Sequence, residues 1–177
     1  MKILLTGATG YIGKRLLPIL TAQNHEIICC VRDKNRFYCP PESQKNVQVI
    51  EVDFLKQETL KVIPKDIEAA YYLIHSMSGS ANNYDELEHI SAENFVKRIN
   101  QTSVKQVIYL SGIVNDTSLS KHLSSRKHVE DVLYTGKFAT TTLRAGIIIG
   151  SGSASFEIIR DLVNKLPIMI APKWINT

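Results

Sequence analysis

Three glycines near the start of the chain are spaced to hold a phosphate group. The stretch TGATGYIG places Gly7, Gly10 and Gly13 between an apolar run at 2–6 and a helix-like run at 11–23. Gly7 permits a tight turn, Gly10 lets the backbone approach a pyrophosphate, and Gly13 lets the helix lie close to the strand. The N–H groups and dipole of a helix N-terminus favour an anion there. Because the pattern stands at the first strand-to-helix junction, it predicts a dinucleotide site.

The end of the second apolar run carries residues that could select between two dinucleotides. Arg32 comes first and Asp33 follows, with Lys34 and Arg36 adding positive charge nearby. A guanidinium grips a 2′-phosphate with two hydrogen bonds and stacks on adenine. A carboxylate in this region instead holds the ribose hydroxyls of NAD. The order of the residues favours NADP(H) over NAD(H), and Asp33 as the ribose ligand of NAD is the alternative.

Short apolar runs alternate with helix-like segments along the whole chain. The apolar runs lie at 2–6, 26–32, 47–53, 69–76, 106–112 and 141–150. Segments with helical spacing of apolar residues lie at 11–23, 84–102, 122–135 and 154–166, with at most a short helix at 56–64. Most runs are apolar on both faces, as strands buried between two helix layers must be. We therefore predict an α/β fold: a doubly wound parallel sheet of the Rossmann type, in strand order 3-2-1-4-5-6, with helices on both faces.

Three local features complete this outline. Pro18 falls inside the first helical segment and is expected to kink it or distort its first turns. The polar, proline-bearing stretch 32–46 is the longest predicted loop. The stretch GSGSASFE at 150–157 could bind an anion at a helix N-terminus, although a helix cap by Ser153 or Ser155 is the favoured interpretation.

Length and composition exclude several classes of protein. With 177 residues, 44% of them apolar and 21% charged, one globular domain over 1–177 is expected. The net charge of +4 is modest and acids are interspersed with bases, so no nucleic-acid surface is predicted. No signal-peptide pattern is found, and no apolar run approaches the ~18 residues of a membrane span, which predicts a cytoplasmic protein without a membrane partner. Cys29, Cys30 and Cys39 lack metal-site spacing, so free thiols and no metal site are expected.

Taken together, these motifs resemble the extended and atypical members of the short-chain dehydrogenase/reductase superfamily. TGATGYIG is similar to that family's TGATGFIG signature, and TTLRAGIIIGSGS resembles its xxLRPGxVYGPG. HLSSRKHVEDVL and LPIMIAPKW further resemble a bacterial group of NmrA-like, nucleoside-diphosphate-sugar-epimerase-like proteins. Members of that group are far longer and carry a further C-terminal domain. The resemblance therefore implies an N-terminal fragment or truncated form from which the substrate lobe is largely absent.

The resemblance also assigns residues to a cofactor site. VDF at 52–54 stands where the family contacts adenine, and YLIHSMS at 72–78 stands beside the nicotinamide ribose. With the glycine turn and the helix asparagine, the implied cofactor residues are Gly7, Thr9, Gly10, Tyr11, Ile12, Gly13, Arg32, Asp53, Phe54, Ile74, His75, Ser76 and Asn94.

The catalytic residues of the family are altered in this chain. Ser111, in VIYLSG, matches the family's catalytic serine. Where the family has a Tyr-x-x-x-Lys pair, counting back from Glu130 gives His122 and Arg126. In one interpretation His122 is the acid/base group and Arg126 clamps the cofactor ribose. In the other interpretation, the pair is simply the polar start of a helix.

These interpretations lead to two functions. The first is an NADP(H)-dependent oxidoreductase or epimerase-like enzyme acting on an unidentified small-molecule substrate. The second is a non-catalytic redox sensor or protein-partner module that binds the cofactor. Members of the superfamily often dimerise through the helices that correspond to 84–102 and 122–135, so a homodimer is one expectation.

Overall fold

The structure, a computed structural model, describes residues 1–75, 84–113 and 121–166, without the side chains of 84 and 121–123. The chain divides into two compact units, Met1–Ala145 and Gly146–Thr177. A single domain over 1–177 stays a prediction. Within the described residues, no helix is both long enough and apolar enough to cross a membrane.

The first unit is built on one parallel sheet. Its strands are β1 (Lys2–Leu5), β2 (Glu26–Val31), β3 (Val47–Glu51), β4 (Ala69–Tyr72), β5 (Gln106–Gly112) and β6 (Ala139–Ala145). Their order is β3-β2-β1-β4-β5-β6, and every neighbouring pair is parallel. The predicted sheet and strand order are therefore confirmed.

The last strand differs from its predicted bounds of 141–150. Strand β6 begins two residues earlier and ends at Ala145. Its register explains the difference, because Ala139 lies opposite Gln106 and Ala145 lies opposite Gly112, so β6 matches β5 along its whole length. Hydrogen bonding to the neighbouring strand, rather than the apolar run IIIG, sets where the strand ends.

Four α-helices occur close to their predicted positions. They are α1 (Tyr11–Ala22), α2 (Tyr84–Ile99) and α3 (Lys121–Leu133) in the first unit, and α4 (Ala154–Lys165) in the second. The predicted short helix at 56–64 is a 3-10 helix over Gln57–Val62. The predicted loop 32–46 contains two further 3-10 helices, Lys34–Arg36 and Pro41–Asn46. The two helices within 32–46 have the sequences KNR and PESQKN, which contain no aliphatic or aromatic residue. Apolar periodicity could therefore not reveal them.

Helices cover both faces of the sheet, as predicted. Successive residues of β2 point to opposite faces, so Ile27 and Cys29 belong to one buried cluster while Ile28 and Cys30 belong to the other. Helix α1 packs on the first face, and helices α2 and α3 pack on the second. The buried residues that they contribute include Leu17 and Leu20 from α1, Phe95 and Ile99 from α2, and Val129 and Leu133 from α3.

Helix α1 continues through Pro18, although a proline removes one helix hydrogen bond. The Thr21 hydroxyl lies 3.1 Å from the carbonyl oxygens of both Leu17 and Pro18, and 2.8 Å from Ser43 Oγ. A hydroxyl has one hydrogen to donate, so if Thr21 donates to a carbonyl, it accepts from Ser43. Both side chains are buried, and the contact fixes the 3-10 helix Pro41–Asn46 against α1.

In the second unit, the start of α4 is arranged differently from the predicted serine cap. Ser153 makes no capping hydrogen bond, because its hydroxyl donates to the Ile148 carbonyl at 2.6 Å. Ser155 lies inside the helix. The Glu157 carboxylate instead accepts the Gly152 N–H at 2.9 Å. A carboxylate from the first turn of α4 therefore accepts a backbone N–H at the start of the helix. The prediction of a cap by Ser153 or Ser155 was wrong.

The three thiols are free, and burial separates their reactivities. Cys29 and Cys30 are buried in β2, whereas Cys39 is partly exposed. Burial raises the pKa of the Cys29 thiol to about 12 and also raises that of Cys30. Because the thiolate is the reactive form, both should resist thiol reagents in the folded protein.

We expect a chromogenic thiol reagent at pH 8 to label one cysteine of the native protein and all three after denaturation. Burial also raises the pKa of Cys39, so its labelling should be slow. The variant Cys39→Ser should show no native labelling while unfolding at the same temperature. Two or more thiols reacting together in the native protein would contradict the burial of β2.

Candidate dinucleotide site

A cavity lies at the carboxyl ends of strands β1 to β4. Chain order reverses between β1 and β4, and such a switch point is where open α/β sheets bind ligands. The predicted cofactor residues that line it are Gly7, Thr9, Gly10, Arg32, Asp53, Phe54, Ile74 and His75. Predicted residues as far apart in the sequence as Gly7 and His75, 68 positions, therefore line the same cavity.

The three glycines of the turn differ in how much space a side chain would have. Gly7 has a φ of +65°, and a Cβ there would lie 2.4 Å from the Leu73 carbonyl oxygen. A Cβ on Gly13 would lie 2.3 Å from the carbonyl oxygen of Gly7. At Gly10 the nearest atom would be 3.1 Å away, so a Cβ needs only a small adjustment. The fold itself therefore requires glycine at positions 7 and 13, while Gly10 lines the cavity and has room for a Cβ.

Thr6 holds the glycine turn against the end of β4, a role that sequence reasoning missed. Its hydroxyl donates to the Tyr71 carbonyl at 3.0 Å and accepts the Leu73 N–H at 3.0 Å. The side chain is fully buried. A threonine directly before the glycine turn was the available signal, since a buried hydroxyl at a strand end needs partners.

The N-terminus of α1 is directed at the glycine turn without a competing acid. The helix begins after Gly10, which has no side chain to cap it, and its first turn contains no acidic residue. Its backbone N–H groups and dipole therefore favour an anion at this end. Of the predicted residues in this turn, Tyr11, Ile12 and Gly13 belong to the helix and do not line the cavity.

At the other end of the cavity, Arg32 and Asp33 have separate roles. Arg32 is exposed and lines the cavity. Asp33 is not among the lining residues, and its Oδ1 accepts the Asn35 N–H at 2.9 Å, which caps the 3-10 helix Lys34–Arg36. The Asp33 carboxylate is thus engaged in local structure, while Arg32 is an exposed residue of the cavity lining.

Asn94 lies behind the cavity wall instead of lining it. It is buried, its Nδ2 donates to the Phe54 carbonyl at 2.7 Å, and its Oδ1 accepts from Gln57 Nε2 at 2.9 Å. Phe54 and its neighbour Asp53 both line the cavity. Asn94 therefore positions the segment that forms the wall, and a direct contact with a ligand stays a prediction.

His75 stands at the β4 end of the cavity and is held by a buried acid. Its Nδ1 lies 2.8 Å from Glu88 Oε1, and Ser125 Oγ donates to Glu88 Oε2 at 2.5 Å. Sequence reasoning missed both Glu88 and Ser125. A signal was present for Glu88, because it precedes Ala92 and Phe95 by four and seven residues and so lies on the apolar face of α2.

Two of the three predicted catalytic residues, Ser111 and Arg126, are described, and they lie away from the cavity. Ser111 is buried in β5, and Arg126 is half-buried on α3 with its carbonyl accepting from the Tyr109 hydroxyl at 3.2 Å. Neither lines the cavity. The side chain of His122 and the whole of Ser76 lie outside the described residues.

Burial raises the pKa of Tyr109 to about 12, against the smaller opposing effects of Arg126 and the Ser111 hydroxyl.

Three solved structures share this fold. A Staphylococcus aureus nucleoside-diphosphate-sugar epimerase is 22% identical with a TM-score of 0.66, over 81% of this chain and 50% of that chain. The Bordetella bronchiseptica enzyme WbmH, solved with NAD+, is 15% identical with a TM-score of 0.71, over 93% and 62%. Yeast methylglyoxal/isovaleraldehyde reductase Gre2, solved with NADPH, is 14% identical with a TM-score of 0.75, over 97% and 68%. Such likeness shows the fold alone.

Sequence comparison goes further than the fold. No curated protein matches the chain, which spans half the length of the S. aureus epimerase. A family described as NAD(P)H-binding matches residues 7–153, well over half of the chain. The matched region runs from the glycine turn through the strands that form the cavity and includes Arg32 and His75. The chain therefore belongs to the family of NAD(P)H-binding proteins.

Proposed function

We propose that the chain is the cofactor-binding part of an NADP(H)-dependent reductase, of the extended or atypical short-chain dehydrogenase/reductase type. The observation that carries the choice of cofactor is the contrast between Arg32 and Asp33. The first is an exposed cation at the cavity, and the second is a carboxylate used to cap a 3-10 helix. Among the described residues, no salt bridge to Arg32 is found, so its charge is available to a phosphate.

The proposed dinucleotide would lie in the cavity in one direction. The uncapped start of α1 and the open side of Gly10 suit the pyrophosphate. Arg32 would grip the 2′-phosphate, and Asp53 and Phe54 would flank the adenosine. Ile74 and His75, at the end of β4, would then contact the nicotinamide half, because that half extends across the switch point from the adenosine.

A reductase function follows from what such a cofactor supplies, which is a hydride for an electrophilic carbon. The yeast neighbour is named as a reductase of methylglyoxal and isovaleraldehyde. A small carbonyl compound is accordingly the proposed substrate class. In the sequence-based interpretation, His122 supplies the proton, Arg126 clamps the ribose and Ser111 orients the oxygen, since His122 and Arg126 lie one helical turn apart on α3.

A non-catalytic sensor is the second candidate. It is favoured by the position of Ser111 and Arg126, neither of which lines the cavity. A sensor needs the glycine turn and Arg32 but no proton donor, so both functions share the cofactor site and differ in turnover.

Replacing Arg32 should change the preference between the two cofactors. In Arg32→Ala the dissociation constant for NADPH should rise by about 10- to 100-fold, because a charge-assisted hydrogen bond is worth roughly 1.5–3 kcal/mol. Affinity for NADH should change little. Fluorescence titration with each cofactor measures both. Lys34→Ala, which removes an exposed cation that does not line the cavity, is the matched control. Equal loss for both cofactors, or an equal effect of Lys34→Ala, would contradict the assignment.

The glycines of the turn should respond differently to an added methyl group. Gly10→Ala should lower the melting temperature by no more than about 2–4 °C, corresponding to ~1 kcal/mol. Its affinity for NADPH should nevertheless fall at least about tenfold, because the Cβ enters the space of the pyrophosphate. Gly13→Ala should lose much more stability with or without ligand, because its Cβ meets the Gly7 carbonyl. Calorimetry in the presence and absence of NADPH separates these effects, and unimpaired binding by Gly10→Ala would argue against the pyrophosphate position.

Turnover decides between the reductase and the sensor. The absorbance of NADPH should fall when the protein is mixed with members of a panel of aldehydes, quinones and flavins. NADPH binding without any oxidation across the panel would favour the sensor. If neither NADPH nor NADH binds, both functions are excluded.

A further inference from the structure

A buried carboxylate joins three elements beside the cofactor cavity. Glu88 of α2 is 5% exposed, and Ser125 of α3 is 2% exposed. His75, which follows β4, brings its Nδ1 to 2.8 Å from one carboxylate oxygen, and Ser125 donates to the other at 2.5 Å. His75 also lines the cavity. The cluster therefore connects the interior between α2 and α3 with the space proposed for the cofactor.

An ionised Glu88 would fix the direction of both hydrogen bonds. An ionised carboxylate accepts only, so His75 Nδ1 carries a hydrogen towards Glu88. Removing a carboxylate from water is costly unless its oxygens are hydrogen-bonded, and here both oxygens have a donor. A neutral pair could brace the same elements at lower cost. A carboxylate in hydrogen-bonding contact with an imidazole at a cavity is instead typical of a site that transfers protons.

The connectivity also excludes serine-hydrolase chemistry for this cluster. A nucleophilic serine needs an imidazole within hydrogen-bonding distance of its hydroxyl. Ser125 instead contacts the carboxylate, on the oxygen opposite to His75. Two tyrosines lie in the same layer, yet burial raises the pKa of Tyr109 to about 12 and raises that of Tyr72 as well. The imidazole, which lines the cavity and contacts the buried acid, is thus the group of this cluster placed to exchange a proton with a ligand.

We propose that His75 carries the proton of the reaction, in place of the sequence-predicted His122, and that Glu88, held by Ser125, positions its ring. This inference rests on the proposed reductase function. When a hydride reaches the carbonyl carbon of the substrate, an N–H bond of the protonated His75 breaks and that proton passes to the carbonyl oxygen. An alcohol and the oxidised cofactor form, Glu88 stays ionised, and His75 is left neutral until solvent that enters the emptied cavity returns a proton to it.

The contact between His75 and Glu88 can be observed without turnover. Long-range 1H–15N NMR spectra of 15N-histidine-labelled protein distinguish the two neutral tautomers of each ring at alkaline pH. We expect His75, assigned by the loss of its signals in His75→Gln, to carry its hydrogen on Nδ1. Glu88→Leu should abolish that preference. The matched control is Glu93→Gln, because Glu93 holds the exposed His89 at 3.3 Å on the same helix. An unchanged His75 tautomer in Glu88→Leu would overturn the positioning role.

The proton-carrying role is tested with 9,10-phenanthrenequinone as the probe and NADPH as the reductant. In His75→Gln, kcat should fall by about 10²- to 10⁴-fold, a far larger change than that in the dissociation constant of NADPH. Glu88→Gln should lower kcat less, and His89→Gln should leave it unchanged. A brace with only a structural role would lower the melting temperature and cofactor affinity without this selective loss of kcat.

The outcomes separate this inference from the proposed function. Full activity of His75→Gln overturns the role of His75 and leaves the reductase standing, most directly if His122→Ala is inactive. Wild-type protein that binds NADPH without reducing the quinone overturns both. If Glu88→Leu fails to fold, the pair Glu88→Gln and Ser125→Ala provides the same comparison, and unchanged kcat in both would overturn the positioning role of Glu88.

Discussion

The position of helix α1 against the end of β1 is the constraint on which the site depends. The helix reaches this place only because Gly7 and Gly13 have no side chains, since a Cβ on Gly13 would lie 2.3 Å from the Gly7 carbonyl. Gly7 is confined in turn by the Leu73 carbonyl. This close packing brings the N-terminus of α1, whose N-cap residue Gly10 lines the cavity, to the switch point of the sheet. A helix end that favours an anion is therefore a consequence of how tightly β1, β4 and α1 meet.

Helix α2 supports the cavity from the opposite face of the sheet. Near its middle, Asn94 holds the Phe54 segment that forms the wall at the adenosine end. In its first half, Glu88 holds His75 at the other end. Both side chains are buried and polar, and each makes one hydrogen bond to a residue that lines the cavity, Phe54 for Asn94 and His75 for Glu88. A single helix thus keeps two parts of the site in register, which links the rigidity of the core to the geometry of the site.

Local patterns in the sequence were sufficient for much of the fold. Apolar runs and helical spacing identified the strands and helices, and the alternation of the two fixed a parallel sheet because parallel strands need crossovers. Errors arose where a neighbour decides the outcome. The end of β6 follows the length of β5, and the Ser153 hydroxyl turns back to Ile148 instead of capping α4. The 3-10 helices within 32–46 are too short to produce a periodic signal.

The sequence alone determined the alternation of strands and helices and the glycine turn expected to bind a dinucleotide, since both depend on residue types at fixed local spacing. The strand order followed from the arrangement that is usual for six such strands. Only the tertiary structure decided which side chains reach the cavity. It showed Arg32 lining the space while Asp33 caps a helix, and Asn94 behind the wall. The contacts of Asn94 with Phe54 and of Ser125 with Glu88 join residues 40 and 37 positions apart. No local pattern encodes such pairs, because the packing of α2 and α3 on the sheet is what brings them together.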